Sequence, residues 1–166
     1  ASSTSFGPPS AGDTMGVTIG IRREDKNEWE RRVPLVPSDL AELVRNPQLD
    51  FTIQPSAIRV FTEDEFREVG VSVDESLDDA DIVIAVKEIP IGLLQEKKVY
   101  LFFSHTIKGQ PQNMPMLKHL LDTGSTLIDY ERITDEQNRR LIFFSVHAGY
   151  AGMIESLVCQ AKRMEF

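Results

Sequence analysis

Three apolar runs in this chain each end in ionisable residues. Ile82 to Val86 leads into Lys87 and Glu88, Val99 to Phe103 into Ser104 and His105, and Thr126 to Ile128 into Asp129, Tyr130 and Glu131. Such runs suit strands buried on both faces, which occur in parallel sheets covered by helices. In open parallel α/β sheets, ligands bind at the carboxyl ends of the strands. The pattern therefore predicts Lys87, His105, Glu88 and Glu131 along one sheet edge, where they look like an acid–base site.

The rest of the chain alternates in the same sense. Val17 to Ile21 reads as a first strand alternating around Gly20, and the charged stretch Arg22 to Arg32 as a loop. Pro37-Ser38-Asp39 opens a helix to about Arg45, with Ser38 as its expected N-cap. Phe51 to Gln54 is a second strand. Thr62-Glu63-Asp64-Glu65 is a capping box for a short helix ending at Gly70. Val71 and Val73 give a brief strand, Asp81 to Lys87 a further strand and Val99 to Ser104 another buried one. A helix is expected over Pro115 to Thr123, a strand around Leu127 and Ile128, and another over Arg139 to Phe144. From Ala148 to Met164 the spacing is helical, with Met153, Leu157, Ala161 and Met164 on one face. Strands alternating with helices imply a doubly wound α/β layer with a mostly parallel sheet.

Charge narrows the function. The formal net charge is −8, from 18 basic and 26 acidic residues, which disfavours a nucleic-acid or anionic-membrane partner. No apolar run approaches the roughly 20 residues of a membrane helix. The single cysteine, Cys159, permits no internal disulfide and reads as a small core residue. Residues 1–15 are rich in Ser, Gly, Pro and Ala, and are expected to be a disordered tail before a domain spanning 16–166. The three histidines show no metal-ligand spacing, so no metal is expected. There is no G-x-G-x-x-G and no P-loop. The glycines of Ala148-Gly149-Tyr150-Ala151-Gly152 are expected to serve close helix packing instead.

Each candidate also has a structural explanation. Lys87 can simply pair with Glu88 or Glu131 at a strand end. His105 can be a backbone-bonded histidine, although consecutive strands tend to be neighbours, which would place it beside Lys87. Arg32 can fork a carboxylate or belong to a solvated charge run. His119 is expected at the surface, and His147 could line the same cleft.

The motifs taken in order carry a resemblance. The stretch from Arg22 to Pro37 closely resembles the opening of the lysine-ketoglutarate reductase domain of the bifunctional aminoadipic semialdehyde synthases. So do Ile53-Gln54-Pro55-Ser56, Phe102-Phe103-Ser104-His105-Thr106-Ile107-Lys108, Ile128-Asp129-Tyr130-Glu131 and Ala148-Gly149-Tyr150-Ala151-Gly152-Met153. The wider superfamily is that of alanine dehydrogenase, the N-terminal part of transhydrogenase and the lysine-forming saccharopine dehydrogenases. The resemblance implies a flavodoxin-like substrate domain followed by a Rossmann domain that this chain does not contain. It implies an oxidoreductase of lysine degradation that condenses lysine with 2-oxoglutarate and reduces the imine to saccharopine with NADPH. Lys87 and His105 would be its acid and base, Glu88 and Glu131 would hold their charge state, and Arg32 would bind a substrate carboxylate. Partners would be these small molecules, with a homo-oligomer allowed, in the cytoplasm or mitochondrion. Because the cofactor domain would lie beyond Phe166, this chain alone is expected to be inactive. The family pattern is departed from at Ser145-Val146-His147, and at Glu155 and Cys159 on the last helix. An alanine-dehydrogenase-type domain and a non-catalytic substrate-binding module are the alternatives.

Overall fold

The computed structural model describes residues 16–165, so the expected tail over 1–15 lies outside the described residues. The elements run β1 (Val17–Ile21), α1 (Pro37–Leu43), β2 (Leu49–Ile53), α2 (Glu63–Glu68), β3 (Ser72–Val73), β4 (Ile82–Ile84), β5 (Val99–Phe102), α3 (Met114–Asp122), β6 (Thr126–Asp129) and α4 (Ser145–Arg163). Local chemistry sets several of the ends. Thr62 and Glu65 form the reciprocal capping box at the start of α2. Gly70 (φ +91°) and Gly124 (φ +64°) close α2 and α3 in the left-handed conformation that glycine adopts freely. At α1 the cap is Val36, not Ser38. Pro37 occupies the first helical position, where its fixed φ and missing N–H cost nothing.

The six strands form one sheet in the order β3-β2-β1-β4-β5-β6, with every pair parallel. Side-chain alternation along the buried strands sends neighbouring residues into two cores. Ile21, Phe51, Ile53 and Ile84 pack with Leu40 of α1 and Phe66 of α2. Val83, Ala85, Tyr100 and Phe102 pack with Met116 and Leu120 of α3. Gly20 is needed at its site, since a Cβ there would lie 2.9 Å from the Ala80 Cβ. The chain's direction of travel across the sheet reverses between β1 and β4. That reversal is the topological switch point where ligands of open α/β sheets bind.

Residues 130–165 belong to a second compact unit. The expected strand over Arg139 to Phe144 does not form. Asp135 instead collects the Arg139 backbone N–H (2.8 Å) and guanidinium (2.7 Å) in a tight turn, leaving a single antiparallel bridge between Thr134 and Arg140. Helix α4 begins at Ser145, three residues earlier than the spacing suggested. Its apolar residues Met153, Leu157 and Met164 are exposed, and so is Cys159, which is therefore no core residue. Gly149 and Gly152 have open space around them, so the expected close packing at these glycines is not formed.

Candidate active site

The switch point is built from the carboxyl ends of β1 and β4. Beyond Ile21, the Arg22 N–H still donates to the Ile84 carbonyl at 2.9 Å, and then the chain turns away. That turn leaves the next backbone N–H groups of the β4 edge without a strand partner. Glu24 supplies one: its carboxylate accepts from Val86 N at 2.6 Å and from Lys87 N at 3.0 Å. On the other side, β4 remains tied to β5 through Ala85 N to Leu101 O (2.9 Å) and Phe103 N to Val86 O (3.2 Å). The regular strand thus ends at Ile84 rather than Lys87 because a side chain replaces the ladder.

The charged run after β1 is not a solvated loop. Arg22, Glu24 and Glu30 are only 7%, 6% and 7% exposed. The Arg22 guanidinium forks Asp25 at 3.1 and 2.5 Å and also donates to the Arg23 carbonyl at 2.7 Å, which fixes the turn. Burial pushes the Glu24 carboxyl above its ordinary value, against the pull of the two backbone N–H groups it accepts. Glu30 moves the other way. The Arg32 hydrogen bonds hold it below the usual carboxylate range, and the nearby Lys87 charge adds to the effect.

Lys87 is half-buried at this edge. Its expected pairing with Glu88 is not what forms. Glu88 is ion-paired with Lys26 and lies 3.4 Å from the His105 Nδ1. Burial pushes Glu88 upward, but the Lys26 hydrogen bond and the neighbouring positive charges bring it below its ordinary value. Strands β4 and β5 are neighbours, so Lys87 and His105 do follow adjacent strand ends. A cleft of about 450 Å³ opens beside the Glu88 carboxylate, walled by Asp25, Lys26, Ile91, Asn113 and Met116. A wider groove of about 530 Å³ is lined by Arg22, Gln54, Glu75, Leu93 and Tyr100, and neither its lining nor that of the smaller cleft includes Lys87 or His105. The smaller cleft is taken as the candidate site because its wall includes Glu88, whose carboxylate lies 3.4 Å from the His105 Nδ1.

Arg32 is exposed on the β1–α1 connection, and its fork engages Glu30 through Nε to Oε1 at 2.7 Å and a second contact from Nη2. A ligand carboxylate reaching Arg32 would compete with that pair. Glu131 belongs to the second unit, where it lies 3.4 Å from the Arg140 guanidinium, so the four-residue cluster read from the sequence is not assembled within the first unit. His119 is half-buried on α3, not at the surface. His147 sits on α4 against Tyr150, with ring centroids 6.3 Å apart. Sequence reasoning missed Glu24, Glu30 and Lys26. The two-residue step from Arg22 to Glu24 continues the alternation of β1, and that was the available signal for burial.

A nicotinamide dinucleotide does not fit these residues. A dinucleotide site presents a glycine turn and a helix N-terminus to the pyrophosphate. Here the first βα connection is a long charged loop whose buried Glu24 carboxylate holds the end of β4 and whose buried Glu30 carboxylate engages Arg32.

Comparison with known proteins identifies the family and the fold. The alanine dehydrogenase/PNT N-terminal domain family matches residues 20–151. The chain belongs to that family. Alpha-aminoadipic semialdehyde synthase of Arabidopsis thaliana is 36% identical to this domain over 144 residues, covering 84% of the chain and 14% of the plant protein. The mitochondrial alpha-aminoadipic semialdehyde synthase of Rattus norvegicus is 40% identical over 139 residues, covering 84% of the chain and 15% of the rat protein. Among solved structures, an L-alanine dehydrogenase superposes with a TM-score of 0.63 at 26% identity, over 74% of this chain and 35% of that one. The transhydrogenase of Sinorhizobium meliloti (TM-score 0.57, 16% identity, 70% of this chain and 35% of that one) shares the fold. The domain spans only about 14–15% of the length of the two semialdehyde synthases it matches.

Proposed function

We propose that this domain is the substrate half of a lysine 2-oxoglutarate reductase, forming saccharopine from lysine and 2-oxoglutarate with NADPH as reductant. The observation that carries this reading is the identity of 36–40% with aminoadipic semialdehyde synthases, extending across the strand ends that hold Lys87 and His105. The alanine dehydrogenase neighbour supports the alternative amino-acid dehydrogenase reading at a lower identity of 26%. The nucleotide would be held by residues outside this chain, and the protein would work in the cytoplasm or in the mitochondrion, the compartment in the rat relative's name.

The groups suit condensation. The lysine amine adds to the 2-oxo carbon, the carbinolamine oxygen takes up a proton and leaves as water, and the nitrogen loses its protons to give the imine. Lys87 and His105 are the acid and base for these transfers, each worth roughly 10²–10⁴-fold when well placed. Glu88, through its contact with His105, orients the imidazole. Both substrates carry carboxylates, and Arg32 binds one of them by exchanging Glu30 for the ligand.

The direct test uses a full-length enzyme carrying this domain. Saccharopine, identified by mass spectrometry, should appear only with lysine, 2-oxoglutarate and NADPH together. Turnover of pyruvate and ammonia instead would place the domain with alanine dehydrogenase. Arg32→Ala is expected to raise KM for one carboxylate substrate by about tenfold or more, as loss of a bidentate charge contact does. It should also lower the melting temperature, because it strands the buried Glu30. Adding Glu30→Gln should restore the melting temperature but not KM; recovery of both would make Arg32 purely structural.

A further inference from the structure

His105 has φ +52°, a left-handed backbone conformation that residues with a side chain seldom occupy. Something must hold it there. Asn113 is buried, and its side-chain Nδ2 donates to the Ser104 carbonyl at 3.0 Å and reaches the His105 carbonyl at 3.4 Å. A second feature is independent of that contact. Asn113 is the N-cap residue of α3, where an asparagine side chain ordinarily accepts from the first turn of the helix. It makes no side-chain cap there. The hydrogen bonds of the side chain are donated by Nδ2 to the carbonyls of the histidine turn.

The other side of the turn is also fixed. Ser104 is fully buried, and its Oγ donates to the Asp129 carboxylate, accepts from Thr106 N at 3.2 Å and lies 2.7 Å from the Thr106 Oγ1. The backbone on both sides of His105 is therefore pinned, while the imidazole stacks on Phe103 and sets Nδ1 3.4 Å from Glu88.

We propose that Asn113 is a positioning residue for His105: its amide clamps the Ser104 and His105 carbonyls and so holds the left-handed turn that aims the imidazole at Glu88. The kinetic side of this proposal rests on His105 being an acid–base group of the reaction; the geometric side does not. Asn113→Asp keeps the shape but replaces the donor with an acceptor, and Asn113→Ala removes the group.

Histidine ring ¹⁵N spectra of this chain give the geometric readout. Both variants should shift the His105 ring signals and leave those of His119 and His147 in place. In the full-length enzyme, kcat should fall by at least roughly tenfold, the scale of a misplaced catalytic group, with KM within about twofold. His105→Gln separates the two failures. If that variant keeps its turnover, the acid–base reading of His105 is wrong, and the ring signals alone then judge Asn113. The positioning role is overturned if the His105 signals overlay the wild type in a folded variant. It is equally overturned if they shift while kcat stays unchanged and His105→Gln is inactive. Should neither variant fold, couplings measured across the hydrogen bonds from Asn113 Nδ2 in the wild type decide, and their absence overturns the proposal.

Discussion

Lys87→Met should lower the turnover of a full-length enzyme carrying this domain by at least roughly 10²-fold, the lower end of what a positioned acid or base contributes. The site explains why the effect should fall on chemistry and not on folding. Lys87 is anchored through its backbone N–H, which the Glu24 carboxylate accepts, and a substitution at the side chain leaves that bond in place. Among the described residues no ion pair engages the Lys87 ammonium, so methionine strands no partner. Methionine keeps the length and the apolar stem of the half-buried side chain, and removes only the charge and the donors. Glu30, whose carboxyl feels the Lys87 charge, depends chiefly on Arg32 and only secondarily on Lys87. The melting temperature should therefore stay close to wild type while single-turnover rates collapse. Turnover within about threefold of wild type, well below the acid–base range, would remove Lys87 from the mechanism.

The layer architecture was legible from the chain because apolar runs and punctuating residues carry it. Ile82 to Ile84, Val99 to Phe102 and Thr126 to Asp129 fall where the runs are densest, and the capping box and Gly70 and Gly124 set helix ends through backbone chemistry that is local in sequence. The alternation of Val83 and Ile84 into opposite cores follows from the strand period alone. What was illegible depends on partners distant in sequence. Glu24 accepts from Val86 and Lys87, 62 and 63 residues away, and the alternation that continues from β1 through Arg22 to Glu24 signals burial without naming those partners. The same holds for Glu88. It adjoins Lys87 in the chain, yet it pairs with Lys26 and His105, because successive residues leaving a strand point to different sides. Helix α4 shows the converse. Its apolar periodicity correctly gave a helix, but a stripe of apolar residues does not state what covers it, and here the stripe is exposed.

Glu24→Ala is the substitution expected to cost the most stability. Removing the carboxylate leaves the N–H groups of Val86 and Lys87 without their acceptor at a buried strand end. An unsatisfied buried donor costs about 1–3 kcal/mol, so roughly 2–4 kcal/mol is expected for the pair, after some relief from water entering the gap. The loss should depend on pH in a direction fixed by the Glu24 shift. Burial raises the folded-state value above that of the unfolded chain, so the folded protein holds the Glu24 proton more tightly. That contribution to stability is complete below the ordinary carboxylate range and is lost as pH climbs through the raised folded value. Alanine carries no such proton. The stability gap between wild type and Glu24→Ala should therefore be widest in mild acid and narrow toward neutral pH. Glu30 and Glu88, whose folded values are lowered, contribute in the opposite direction, but they are present in both proteins and cancel in the difference. Urea unfolding of the two proteins from mild acid to slight alkali reads the gap directly. A gap below about 1 kcal/mol, the net worth of a single ordinary hydrogen bond, would show that the β4 end finds other acceptors. A gap that widens with pH would mean that the two backbone N–H groups outweigh burial and hold Glu24 ionised.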